Sequence, residues 1–257
     1  MHPYLSHEKL QARQLYVSKY PIVKADNPVL PCCASLKSAV QEVYNQGAEG
    51  SCTANAYCAA YRILETDKSF LPSRAYVYWH ERLQEDGNDP TKVTDSGANV
   101  ADGINWVTEN GVCSETLWPY GVQMNIPPPL VCEENAKGHK LGKLNQIKVG
   151  DNQTIKQCLA TGIPVMIAIA LYKSFEQSFM SRFGVIPMPA FIQNPNDTTD
   201  TYSGGHEVML TGYHDFPGYF TFLNSWGSDW GNKGYGYLPY AYVSNTDLTW
   251  SIYFLSK

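Results

Sequence analysis

Four residues of this chain have the types needed for nucleophilic chemistry: Cys52, His206, Asn224 and Gln46. Cys52 follows Ser51 at the head of a run of small residues. A thiol at a helix N-terminus faces the positive end of the helix dipole, which favours thiolate over thiol. His206 comes after Gly204 and Gly205 and before a strand-like run, so its ring can approach another part of the backbone closely. Asn224 closes a second strand-like run, where its amide oxygen can accept the second imidazole N–H and fix the ring, as an acid does in serine triads. Gln46 can present an amide N–H, together with the backbone N–H of Cys52, to a developing oxyanion. Taken singly, each also has a structural alternative: Cys52 as a core thiol, His206 as a satisfied histidine, Asn224 as a turn residue and Gln46 as a surface amide.

These groups need rigid elements to hold them. Ala54, Ala56, Cys58, Ala59, Ala60, Ile63 and Leu64 predict a helix over Ser51–Asp67, apolar on most sides and therefore buried, with Ser51 as its N-cap. A second helix is expected over Pro72–Leu83, with Pro72 at its start. A third is expected over Asn99–Asn110, closed by Gly111. Leu117–Tyr120 and Pro127–Pro129 read as a loop region and a boundary. Beyond it, one short helix over Asn152–Thr161 ends at Gly162. Strand-like runs then cover Ile163–Leu171, Glu207–Tyr213, Tyr219–Leu223 and Thr249–Leu255. Helices first and strands later predict an α+β chain with two lobes and a cleft between them. The expected division is an N-terminal arm at 1–29, a helical lobe at 30–135 and a β-rich lobe at 136–257.

Composition narrows the function classes. The 257 residues are 44% hydrophobic and 17% charged, enough for a sizeable core. A net charge of −5, from 24 acidic and 19 basic residues, offers no basic excess for phosphate, so no nucleic-acid partner is expected. The longest apolar stretch, Ile163–Leu171, falls well short of the roughly 20 residues of a membrane helix. Residues Met1–Lys9 contain no apolar signal core, so an intracellular or virus-packaged location is expected rather than secretion. Seven cysteines, with no pair at zinc-knuckle spacing, read mostly as buried small apolar residues. His206-Glu207 begins like a zinc-protease motif, but Leu210 stands where its second histidine must be. His80, in a helix with polar neighbours, reads as solvated.

In order and neighbours these residues resemble the papain-like cysteine peptidases, which include the cathepsins. His206 lies 154 positions after Cys52 and Asn224 another 18 on, and Gln46 precedes Cys52 by six, as the family's oxyanion glutamine does. Asn224-Ser225-Trp226-Gly227 matches the family's Asn-Ser-Trp-Gly. Further echoes are Gly111–Glu115, Trp118-Pro119-Tyr120, and Gly231 with Gly234-Tyr235-Gly236. The resemblance runs from about Leu30 to the C-terminus. It implies a helical left lobe facing a barrel-like right lobe, a Cys52–His206–Asn224 triad with Gln46, a covalent thioester intermediate, no cofactor or metal, and peptide or protein substrates. It also implies a substrate-facing set of Ser96, Gly97, Ala168, Gly205, Glu207 and Trp226. Ser96-Gly97 takes the place of the glycine-rich wall that pairs with extended substrate. Ala168 lines the pocket for the second acyl-side side chain, with Glu207 near its floor, and Trp226 covers the His–Asn hydrogen bond.

The chain also departs from the family. Glu49 stands where a bridge-forming cysteine precedes the nucleophile by three, Thr53 replaces the aromatic after it, and Gly205 replaces the Asp or Asn before the histidine. The likeness is to short-prosegment relatives in prokaryotes and large DNA viruses. The arm at 1–29 is Pro-rich and aromatic, and is expected as a short inhibitory segment in or near the cleft. Two other readings keep the same scaffold: a peptide ligase or acyl transferase, and a non-catalytic binding protein.

Overall fold

The structure is a computed structural model that describes residues 29–257, apart from 122, 123, 178 and 257; the side chains of 100–102 and 180 are likewise left aside. The expected arm therefore lies outside the described residues, except for Val29. Helices come first: α1 Cys52–Leu64, α2 Arg74–Glu85, α3 Val100–Asn110 and α4 Leu130–Ala136. The rest is mainly sheet. Strands β2 Lys143–Ile147, β3 Val165–Tyr172, β4 Tyr202–His214, β5 Tyr219–Leu223, β6 Tyr235–Pro239 and β7 Thr249–Ser256 run antiparallel in the order β2-β7-β3-β4-β5-β6. A short β1, Cys33–Ser35, pairs with β4.

Alternation along the strands divides the core in two. Met166, Ala168, Met209 and Leu223 face the helices, packing with Ala54, Ala56, Tyr57 and Tyr76. Ile167, Ile169, Val208 and Leu210 face the other way, onto Ile155, Phe175, Phe220 and Tyr242. Helix α1 is buried along nearly its whole length, as its small residues predict, and packs directly on β4.

The structure departs from the expected elements at several points. Ser73 caps α2, accepting from the Tyr76 N–H at 3.0 Å, and Pro72 precedes the cap. Ser51 occupies the N-cap position of α1, but its hydroxyl makes no cap hydrogen bond. Strand β4 starts at Tyr202 rather than Glu207. Gly204 and Gly205 have little strand propensity, yet their backbones pair with Leu171 and Ala170. The prolines at 127–129 lead directly into α4. Segment 33–35 joins the sheet although it lies within the stretch expected to be helical. His80 is buried at 3% exposure: its ring stacks on Trp106 at 3.7 Å and its Nε2 meets Glu133 Oε1 at 3.1 Å. Among the described residues no helix is long and apolar enough to cross a membrane, and no cluster of His, Cys, Asp and Glu is arranged to hold a metal ion.

Candidate active site

Cys52 is the first residue of α1, a 13-residue helix, and is buried. One turn along, Asn55 and Ala56 line a small cavity together with Glu207 of β4, Asn224 and Ser225. Helix α1, one turn beyond Cys52, thus meets β4 and the Asn224–Ser225 segment at this cavity.

His206 lies within β4, opposite Ile169 of β3, and that pairing holds its backbone on one side. Its Nε2 is 2.7 Å from Asn224 Oδ1. The Ser225 backbone N–H donates to that same oxygen at 2.9 Å. A backbone N–H can only donate, so the Asn224 amide must present its oxygen to both groups, and His206 Nε2 must carry the proton. The other ring nitrogen, Nδ1, is then left without the proton in the neutral ring, as a base requires. Trp226 stacks on the imidazole, with centroids 4.8 Å apart, and is braced edge-on by Trp230 at 5.5 Å and Phe175 at 6.0 Å.

Gln46 is tied to the asparagine segment by both backbone and side chain. Its N–H donates to Ser225 O at 2.8 Å, and the Ser225 hydroxyl donates to Gln46 Oε1 at 2.6 Å. Gln46 Nε2 donates to Glu49 O at 2.8 Å. That uses one of its two amide hydrogens and leaves the second for a ligand. Asn45 pairs with Trp226, and the Gly227 N–H donates to Tyr44 O at 2.9 Å. Residues 44–46 therefore run as a short antiparallel stitch along 225–227. Ser225, which ties Gln46 to the asparagine segment, was passed over by sequence reasoning; its place inside Asn-Ser-Trp-Gly was the available signal.

The loop before Cys52 is held by hydroxyls and a guanidinium. Tyr120 donates to Gln46 O at 3.1 Å and hydrogen-bonds the Ser51 hydroxyl, which in turn accepts from Asn55 Nδ2 at 3.0 Å. Arg74 lies over the rings of Tyr44 and Tyr120, at 4.3 and 4.0 Å. Burial lifts the Glu49 carboxyl above the ordinary carboxylate range, against the opposing influence of the neighbouring Tyr120 and Ser51 hydroxyls. Thr53 donates to the buried Glu81 at 2.6 Å, which accounts for a hydroxyl where the family has an aromatic.

The substrate-facing set divides. Ser96 is exposed and Gly97 buried on the loop before α3; Gly205 is buried within β4. Ala168 and Glu207 are cross-strand neighbours on the face toward the helices. Glu207 is only 2% exposed and lines the small cavity between α1 and β4, so its carboxylate is shut off from open solvent.

The papain family cysteine protease model matches residues 33–249. An uncharacterized peptidase C1-like protein of Acanthamoeba polyphaga mimivirus is 33% identical over 226 residues, covering 83% of this chain and 69% of that protein. Mouse cathepsin K is 30% identical over 146 residues, and the match covers only 40% of its length. Among solved structures, xylellain, a cysteine protease from Xylella fastidiosa, superposes with a TM-score of 0.80 at 30% identity, covering 94% of each chain. The digestive procathepsin L 3 of Tenebrio molitor shares the fold, with a TM-score of 0.66 at 20% identity. This chain belongs to the papain family of cysteine proteases and is a papain-like cysteine peptidase with the α+β fold of that family.

Proposed function

We propose that the chain hydrolyses peptide bonds through Cys52, His206, Asn224 and Gln46. The Cys52 thiolate attacks the scissile carbonyl carbon, forming a C–S bond. The resulting oxyanion takes hydrogen bonds from the Cys52 backbone N–H and the spare Gln46 amide N–H. His206, protonated at Nδ1, gives that proton to the leaving amine as the C–N bond breaks. It next takes a proton from water; the hydroxide adds to the thioester, and the C–S bond breaks to restore the thiolate. Asn224 holds the ring throughout, and Trp226 keeps water from that hydrogen bond.

The observation that carries this reading is the shared Asn224 oxygen, which accepts from both His206 and the Ser225 backbone and so selects the catalytic tautomer. Ser96 and Gly97 are read as the wall for extended substrate, Ala168 as part of a side-chain pocket beside Gly205, and Glu207 as a charge acting from behind that pocket. Residues 1–29 are read as a short inhibitory segment. Intact-mass comparison of incubated wild type and Cys52→Ala tests that last point: self-processing predicts loss of the first residues in wild type alone.

The catalytic reading is tested with a peptidyl epoxide. Wild type should gain one adduct, mapped to Cys52, and lose hydrolysis of a fluorogenic peptide in step. A folded wild type that takes no adduct at Cys52, or a Cys52→Ala variant that still hydrolyses the peptide, would refute it.

A further inference from the structure

The loop before Cys52 and the Ser96–Gly97 strap approach closely without a covalent link. A Cβ placed on Gly50 would lie 3.0 Å from both Asp95 Oδ1 and Gly97 N, so the two segments are in van der Waals contact. Polar side chains join them there. The Gly50 N–H donates to Asp95 Oδ1 at 2.9 Å. The Tyr78 hydroxyl donates to the same oxygen at 2.6 Å and accepts from the Gly97 N–H at 3.0 Å. Tyr78 belongs to α2 and is fully buried, whereas Asp95 is exposed on its far side. One turn on, the buried Arg82 holds the strap from behind, donating to Thr94 O at 3.1 Å and Gly97 O at 2.6 Å. Its remaining donors meet Glu85 at 2.6 Å and Asp86 at 2.9 and 3.0 Å. Every bond of this set ends on one of the two loops or on the helix behind them. Gly97 has φ +73°, a conformation that leaves its N–H committed to Tyr78.

We propose that Asp95 and Tyr78, backed by Arg82, form a clasp that sets the gap between the nucleophile loop and the substrate strap, and so fixes how extended peptides seat beside Cys52. This rests on the catalytic reading above. The clasp stands beside a nucleophile loop that has Glu49 in place of a bridge-forming cysteine. Its members are positioning residues: they touch the loops, and only the loops touch substrate. The consequence is a split by substrate length. A peptide long enough to pair with the strap depends on the gap, whereas a blocked single-residue ester does not.

Tyr78→Phe removes the hydroxyl without adding bulk. We expect KM for a tetrapeptide amide to rise about tenfold with kcat within about twofold, as loss of two hydrogen bonds implies. KM for the single-residue ester and the rate of Cys52 alkylation by iodoacetamide should both stay within about twofold. Asp95→Asn keeps an oxygen acceptor for both donors and should recover most of the tetrapeptide KM that Asp95→Ala loses; this pair decides the matter should Tyr78→Phe not fold. An unchanged tetrapeptide KM in folded Tyr78→Phe, or an equal rise for both substrates, would overturn the clasp. A wild type whose Cys52 is inert to the epoxide would overturn the catalytic reading instead, so the two failures are distinguishable.

Discussion

The two halves of the site are held in different ways. On the sheet side, His206 and Asn224 are fixed by backbone and rings: β3 pairs with β4, residues 44–46 stitch to 225–227, and Trp226, itself braced by Trp230 and Phe175, stacks on the imidazole. On the helical side, the loops around Cys52 and Gly97 are fixed by ionisable or hydroxyl side chains: Tyr78, Arg74, Arg82, Asp95 and Tyr120. Backbone pairing is indifferent to pH and to most side-chain changes, whereas a polar clasp depends on each partner. Under the proposed function, one half would serve as a rigid base-holder and the other as a substitution-sensitive mount for nucleophile and substrate.

Several substitutions can break or sharpen this contrast. Cys52→Ala or His206→Ala should lower kcat/KM for a fluorogenic peptide by at least about 10⁴-fold, because nucleophile and base act as a unit. Gln46→Ala should cost about 10²–10³-fold in kcat with little change in KM, the mark of a donor engaged in the transition state. Arg82→Ala leaves buried carbonyls and two carboxylates without their cation. It should destabilise by about 3 kcal/mol in urea titrations, and hydrogen exchange should rise first in the 94–97 strap rather than in β4. A β4 that exchanges first would reverse the comparison.

Acid provides a further contrast. Burial holds His80 below the ordinary imidazole range, against the pull of Glu133, so the folded protein takes up this proton less readily than the unfolded chain. As pH falls through the ordinary histidine pKa of about 6.5, the unfolded chain takes up this proton before the folded one does, and stability falls. Thermal melts should drop from pH 7 toward pH 5 and flatten in His80→Gln. An equal slope in wild type and variant would remove His80 from the account. The smallest effect expected is at Glu207. Glu207→Ala should modestly weaken preference for Arg- over Phe-containing peptides, and an unchanged ratio would end its role in specificity.

The residues proposed as catalytic could be picked out of the sequence because each has a distinctive chemistry and lies among close sequence neighbours. Tyr219–Leu223, an uninterrupted strand-like run, matches β5 residue for residue. The polar mount was not legible. His80, with polar neighbours in its helix, reads as solvated, yet it and the adjacent Glu81 and Arg82 are all buried, because their partners Glu133, Thr53 and Gly97 come from other segments. Strand β1 has only three residues and no alternating apolar pattern, and β6 contains glycine and proline, so neither carries a periodic signal. Helix α4 was hidden behind the prolines at 127–129, since proline marks a loop and the entry to a helix equally well.

The central claim is that Cys52 is held as a nucleophile by its helix and His206. The other six thiols make it testable in one experiment. Burial raises the pKa of Cys58, Cys113 and Cys132 and pushes Cys158 up to about 12, while Cys33 is raised by its neighbour Cys32. Brief iodoacetamide treatment at pH 5.5, followed by peptide mapping, should therefore label Cys52 ahead of every other cysteine, and the label should fall sharply in His206→Ala. Labelling of Cys52 that emerges only near pH 8.5, no faster than at exposed Cys32 and unchanged in His206→Ala, would contradict the account.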